Sequence, residues 1–192
     1  MINNPVCVII DGKRFDINTD FRVALKCEEV AQDGSIDDSE RALAIIFLLF
    51  GEKGIDDSEK WDKLMIAAMK YLSCGQNVEN GNPHKNETDM DYIQDERYIK
   101  TSFLQEYNID LSKCKLHWWD FYDLLNGLTE NAILSRIRYI RNYDISQIKD
   151  SKEKQKIIKQ KQQVALKRKH KEPTQKQLES KERFLKALNL KQ

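Results

Sequence analysis

The sequence has 192 residues, of which 40% are hydrophobic and 33% charged, and a formal net charge of +1. This length fits one domain with appendages, and the hydrophobic share is sufficient for a core. The long apolar run at residues 42–50 is too short to cross a membrane, so we expect no membrane association.

The charge is distributed unevenly along the chain. Residues 149–192 contain 15 Lys and Arg against 5 Asp and Glu, a charge of +10. The preceding 148 residues contain 17 against 26, a charge of −9. The sequence therefore predicts an acidic body with a basic tail.

Four cysteines are spread along the chain without a CxxC pair. They are Cys7, Cys27, Cys74 and Cys114. No signal peptide is evident, so we expect free thiols in a reducing cytoplasm rather than a disulfide framework.

A β-hairpin is predicted at the N-terminus. Residues 6–10 are mostly β-branched, Asp11 and Gly12 form a turn signal, and residues 14–18 alternate between polar and apolar. An isolated hairpin is marginally stable in water. These strands should therefore pack on a helix or pair with a strand of another subunit.

Three helices are predicted next, at about residues 20–32, 39–50 and 59–73. Each is preceded by residues suited to capping its N-terminus: Thr19 or Asp20 for the first, Asp37, Asp38 or Ser39 for the second, and Asp56, Asp57 or Ser58 for the third. The helix at 39–50 is apolar on nearly all sides, so we expect it to be the most buried, and Gly51 should end it.

A polar segment divides the helices into two groups. Residues 75–88 are rich in Asn and Gly and carry too little apolar surface to order themselves, so we predict a flexible loop. A further helix is predicted at about residues 91–107. Its inward side chains should be Tyr92, Ile93, Ile99, Phe103 and Leu104.

The densest aromatic stretch lies in residues 111–141. Apolar side chains repeat there at helical spacing up to Gly127, which should end one helix. Thr129 is placed to cap a second helix at about residues 131–141. The outward residues of that second helix should be Arg136, Arg138 and Arg141.

Trp118 and Trp119 are adjacent, so their side chains point about 100° apart on a helix. We expect one to pack in the core and the other to cover a groove or meet a partner, because Trp and Tyr are frequent in binding hot spots. Tyr122 lies one turn further along. Packing in the core alone is the alternative, but we predict that Trp118, Trp119 and Tyr122 take part in partner binding.

No catalytic, cofactor or metal site is expected. His117 and Cys114 lie three residues apart, on one face of the predicted helix, which is compatible with a Cys–His nucleophile. They match no cysteine-enzyme signature, and we interpret His117 as a packed imidazole at a helix start. His84 and His170 are too distant to complete a helical zinc site.

The basic tail offers a second candidate surface. Lys167, Arg168 and Lys169 could neutralise phosphates, but the interleaved aromatic residues that favour single-stranded nucleic acid are missing. We favour contact with a protein partner or a second copy of the chain over nucleic acid, and a solvated extension is the remaining alternative. Beyond Pro173, Thr174 can start a last helix with a narrow apolar face formed by Leu178, Phe184, Leu185 and Leu188.

The motif LHWWDFYDLLNGL, preceded by SFLQEYNIDL and followed by IRYIRNYDI, resembles a family of small bacteriophage proteins. The resemblance covers roughly residues 6–145 and begins with the opening IIDGKRFDINTDFR. Such proteins come from siphophages and prophages of low-GC Gram-positive bacteria, where they are encoded just before the tape measure protein. The resemblance implies a tail assembly chaperone.

We therefore predict a mainly α fold: a helical bundle with an N-terminal β-hairpin and a basic helical C-terminal extension. The predicted parts are residues 1–74, the loop 75–88, the aromatic subdomain 89–145 and the tail 146–192. The predicted function is non-enzymatic: binding of the tape measure protein and other tail proteins in the host cell cytoplasm, with a possible homo-oligomer. A structural tail component of the virion, or a nucleic-acid-associated protein that uses the tail, is the alternative.

Overall fold

The computed structural model describes residues 3–76 and 89–167. Within them, two strands precede eight helices: β1 (Cys7–Ile10), β2 (Lys13–Asp16), α1 (Phe21–Gln32), α2 (Asp38–Phe50), α3 (Glu52–Ile55), α4 (Trp61–Leu72), α5 (Glu96–Tyr107), α6 (Trp118–Asn126), α7 (Ile133–Asn142) and α8 (Ser151–Val164). A short 3-10 turn, Ser58–Lys60, comes directly before α4. The predicted mainly α fold with an N-terminal hairpin is confirmed.

The hairpin forms where the sequence predicts it. Asp11 and Gly12 both have positive φ, 50° and 77°, as the twist of a two-residue hairpin turn requires. Phe15 points into the core and is 1% exposed. Lys63 of α4 donates to the Asp11 carboxylate at 2.6 Å, so the hairpin packs on a helix of its own chain.

Helix α2 lies at the centre of the first half of the fold, in contact with α1, α3 and α4. Asp37 and Glu40 form a capping box at its N-terminus, and Gly51, with φ of 67°, ends it. Ile45, Ile46 and Leu49 are at most 2% exposed. The expected central position is confirmed, and within residues 41–50 Phe47 alone is exposed, at 49%.

The N-terminal cap that the sequence predicts at Asp56-Asp57 is wrong. Helix α3 and the 3-10 turn occupy this region, and no side chain caps the turn. Asp57 instead accepts from Lys60 at 2.8 Å and from Lys13 at 3.1 Å. Its carboxylate therefore ties the hairpin to the start of α4, a contact between residues that are distant in sequence.

Helix α5 begins at Glu96 rather than near residue 91. The Asp91 side chain accepts from the backbone N–H groups of Ile93 and Gln94, and this local turn competes with helix formation. The inward orientation predicted for Ile93 and Leu104 is wrong, since they are 49% and 52% exposed.

Helices α6 and α7 occur in the two segments where helices are predicted. Gly127 ends α6. Thr129, however, does not cap α7, whose preceding residue is Ala132. The Thr129 hydroxyl donates to the Glu106 carboxylate of α5 at 2.9 Å.

Arg141 contradicts the predicted outward orientation of the α7 arginines. Its guanidinium pairs with Asp95, which is 1% exposed, and only 10% of the Arg141 side chain is accessible. The same arginine donates to the Val164 carbonyl at 2.6 Å. Helix α8 is therefore held against α7, and the described part of the basic tail belongs to the packed structure.

No described helix combines the length and apolar character that a membrane span requires. All four cysteines are free thiols, and Cys27 is fully buried. Most of the predicted loop, residues 77–88, and the tail beyond Lys167 lie outside the described residues. The division into four parts remains a prediction.

Candidate partner-binding surface

His117 organises the start of α6. Its Nδ1 accepts from the Trp119 backbone N–H at 3.0 Å, and its Nε2 lies 3.0 Å from the Pro5 carbonyl oxygen. A carbonyl only accepts, so Nε2 carries the proton and the ring is neutral. The imidazole thus caps the helix and fastens the N-terminal segment to it, which confirms the predicted packed imidazole at a helix start.

Cys114 does not share a helical face with His117, contrary to expectation. Helix α6 begins only at Trp118, and Cys114 lies in the turn before it. Its carbonyl accepts from Arg22 at 2.9 Å. Among the described residues, no group of three or more His, Cys, Asp and Glu is arranged to hold a metal ion.

The two tryptophans differ in burial. Trp118 is 1% exposed and stacks on Phe121, with ring centroids 5.7 Å apart. Trp119 is half-buried. Their indole N–H groups donate to the carbonyls of Leu72 and Tyr71, at 3.0 and 2.9 Å. Both indoles therefore donate hydrogen bonds to carbonyls at the C-terminal end of α4, where carbonyls lack partners within the helix.

Of the other predicted partner-binding residues, Tyr122 lies beside Trp118 and Lys167 lies elsewhere. Tyr122 is half-buried, with its ring 6.0 Å from that of Trp118. Lys167 is exposed. Its backbone N–H donates to the Gln94 side-chain oxygen at 2.7 Å, and its carbonyl accepts from the Gln94 side-chain nitrogen at 3.1 Å. Arg168 and Lys169 lie outside the described residues. The aromatic and basic residues thus lie against different elements, and their part in partner binding stays a prediction.

An apolar cleft of about 270 Å³ opens between α1 and α5. Its apolar lining consists of Phe21, Leu25, Tyr92, Ile93, Ile99, Leu111 and Phe121. Polar side chains also contribute to the lining: Arg22, Glu96, Lys100 and Ser112. The volume lies just below the roughly 300–1,000 Å³ that small-molecule pockets occupy, so the cleft fits a few inserted side chains better than a whole cofactor.

Arg22 is fixed at the cleft by several contacts. One guanidinium nitrogen donates to the carbonyls of Leu111 and Cys114, at 2.7 and 2.9 Å. The other donates to Asp20, which also caps α1. The guanidinium lies 4.7 Å above the Phe21 ring. This side of the cleft is therefore preorganised, whereas Glu96 and Lys100 are exposed.

A half-buried carboxylate lies close to the cleft. Glu28 is one turn beyond Leu25 on α1, and burial raises the pKa of its carboxyl. The pKa of Tyr92, which lines the cleft, is raised chiefly by burial and further by the charge of Glu28. The neighbourhood of the cleft thus contains a carboxylate that a cationic partner would stabilise.

Sequence reasoning did not find this cleft. The sequence predicts inward positions for Tyr92 and Ile93, whereas the structure places both in the lining of an open cleft and leaves Ile93 exposed. The signal available in the sequence is the set of apolar residues on α1 and directly before α5. The position of the cleft follows from the packing of α1 and of α5 against α6.

A comparison with protein families gives one match. The family model described as Bacteriophage Gp15 protein matches residues 2–166, which end just beyond α8. No curated protein matches the chain. No solved structure matches it either.

Proposed function

Because the chain belongs to the family described as Bacteriophage Gp15 protein, it is a phage protein, and we propose that it is a non-enzymatic tail assembly chaperone. In this proposal it binds the tape measure protein in the host cytoplasm and keeps it soluble until the tail forms. The gene position that the sequence resemblance implies supports this role.

The cleft between α1 and α5 is the observation that carries the proposal. Grooves between helices receive the apolar face of another helix through side chains spaced three or four residues apart. Here two helices supply the walls, Phe121 of a third contributes to the lining, and Ile93 remains 49% exposed. A long helical tape measure protein offers many such faces, so several weakly bound copies could cover it.

Co-expression with the tape measure protein encoded by the same phage tests the proposal. We expect the soluble fraction of the tape measure protein to rise, and to fall again when the cleft carries Ile93→Asp. Ile66→Asp is the matched control, because Ile66 is an exposed isoleucine on α4, 71% accessible, and does not line the cleft. No gain in solubility with both proteins well expressed would contradict the proposal.

Mass spectrometry of purified phage particles separates this function from that of a structural tail component. A chaperone is released before the particle is complete and should be absent. A structural component would be present at a fixed copy number, and that result would replace the chaperone proposal.

A further inference from the structure

The path of α8 brings the chain back to the cleft. Arg141 donates to the Val164 carbonyl at the end of α8, and Lys161 donates to the Tyr143 carbonyl at 2.7 Å. Three residues later, the Gln94 side chain binds both backbone groups of Lys167. Gln94 directly follows Ile93, which lines the cleft. Lys167, the last described residue, therefore lies beside this site.

The sequence that follows carries a face that matches the cleft. Residues 168–192 lie outside the described residues, and their pattern predicts a helix from about Thr174. The apolar face of that helix is narrow and formed by Leu178, Phe184, Leu185 and Leu188. Spacing of this kind is typical of a helix that inserts a few side chains into a groove.

The tether is long enough to reach. Residues 168–173 span up to about 20 Å when extended, and a helix over 174–188 is about 22 Å long. A short tether confers an effective concentration in the millimolar range. Binding of the cleft by the chain's own segment is therefore favoured over binding by the same segment of a second copy.

The overall charges of the two parts are complementary. Residues 168–192 contain 8 Lys and Arg against 3 Asp and Glu, whereas residues 1–148 carry a charge of −9. Glu96 is an exposed residue of the cleft, and the half-buried Glu28 lies near Tyr92. A basic helix placed there would approach both carboxylates, and it would also lie near Arg22, which is paired with Asp20, and near Lys100.

We propose that the cleft is occupied by the C-terminal segment of the same chain, with Phe184, Leu185 and Leu188 inserted between α1 and α5. The segment covers the apolar lining in the free protein and competes with any external helix for it. This self-occupancy goes beyond the chaperone function and does not depend on it.

A photocrosslinker tests the placement directly. A benzophenone side chain at position 184 of the full chain should crosslink to peptides that contain Leu25 or Ile93 of the same molecule, at a yield independent of protein concentration. Crosslinks only between two molecules, rising with concentration, would overturn the proposal in favour of a second copy. Crosslinks that avoid the cleft peptides would also overturn it.

A peptide titration measures the competition. The probe is a labelled peptide of residues 174–192, and the receptors are the full wild-type chain and the full chain with Phe184→Ser and Leu188→Ser. The double variant frees the cleft, so it should bind the peptide on the order of tenfold more tightly than the wild type. Equal affinity for both receptors would overturn the proposal.

Matched substitutions in the double variant locate the peptide. Ile93→Asp should weaken peptide binding by roughly five- to tenfold, because a charge replaces apolar contact area, and Ile66→Asp should leave it unchanged. Peptide binding that ignores Ile93→Asp would place the segment elsewhere. The tape measure protein enters none of these assays, so failure of the chaperone proposal would not alter their result.

Discussion

Arg141 binds the carboxylate of Asp95 with both terminal guanidinium nitrogens, each 2.7 Å from a different oxygen. Asp95 precedes α5 and is 1% exposed, and Arg141 lies near the end of α7. The same guanidinium donates to the Asp89 carbonyl at 2.8 Å. One side chain thus joins the segment before α5, helix α7 and, through Val164, helix α8.

Arg141→Ala should lower the free energy of unfolding by about 3–5 kcal/mol, because it leaves the Asp95 charge buried without its partner. Arg141→Lys keeps the charge but loses the two-point geometry, so it should rescue only part of the loss. Urea denaturation measures both. Arg14→Ala is the control, since the Arg14–Asp16 pair is exposed on both sides and should contribute little. Equal midpoints for Arg141→Ala and the wild type would contradict the assigned role.

The two tryptophans should respond differently to the same substitution. Trp118→Phe removes the donor to Leu72 and leaves space in a site that is 1% exposed, so we expect a loss of about 2–3 kcal/mol. Trp119→Phe removes the donor to Tyr71 from a half-buried position, where water can replace it, and should cost about 1 kcal/mol. Chemical denaturation compares them. Equal losses would show that Trp119 is as deeply packed as Trp118.

The caps of α2 and of the turn before α4 provide a paired test. Asp37 accepts from the Glu40 backbone at 2.8 Å within a capping box, so Asp37→Ala should cost about 1 kcal/mol of stability. Asp56 belongs to the other acidic pair that the sequence offers as a cap, but it lies at the C-terminal end of α3, and no side chain caps the turn that follows. Asp56→Ala should therefore leave the thermal midpoint unchanged, and an equal drop in both variants would contradict the structure.

Glu28 gives a prediction that depends on pH. Burial raises the pKa of its carboxyl above the reference of 4.5, so the folded state favours the protonated form. Its contribution to stability is complete below pH 4.5 and is lost as the pH rises through the folded-state pKa. Glu28→Gln should thus be more stable than the wild type at pH 7, with the difference vanishing near pH 4.

Unfolding curves at the two pH values test this prediction, and Glu29→Gln is the control. Glu29 is exposed and pairs with Lys26 on the surface, so its substitution should give no gain at pH 7. A gain for Glu28→Gln that persists unchanged at pH 4 would show that the carboxyl charge is not its cause.

Local sequence signals predicted the elements that depend on local physics. Some positions need an unusual backbone conformation or a residue without a side chain, as at the Asp11-Gly12 turn and at the helix ends Gly51 and Gly127. The residue types that meet these needs can be recognised in the sequence. The cap of α2 at Asp37, one of the residues predicted for it, is likewise a local feature. Each of these features was confirmed where the sequence placed it.

Contacts between distant residues were not predictable in this way. Arg141 and Asp95 are 46 positions apart, and helical periodicity cannot tell a solvent-facing arginine from one that meets a buried carboxylate. Asp57 was misread for the same reason, because its partner Lys13 lies on the hairpin. The cleft depends on how α1 and α5 pack against α6, and no pattern within one helix encodes that arrangement.

The three indole groups have a practical consequence. Trp61 donates to the Ile55 carbonyl at the end of α3, at 3.2 Å, while Trp118 and Trp119 serve the end of α4. Each indole is therefore bonded to the C-terminal end of a helix other than its own. The intrinsic emission of the wild-type protein should shift to longer wavelength when these termini open, so fraying of α3 and α4 can be followed optically without an added dye.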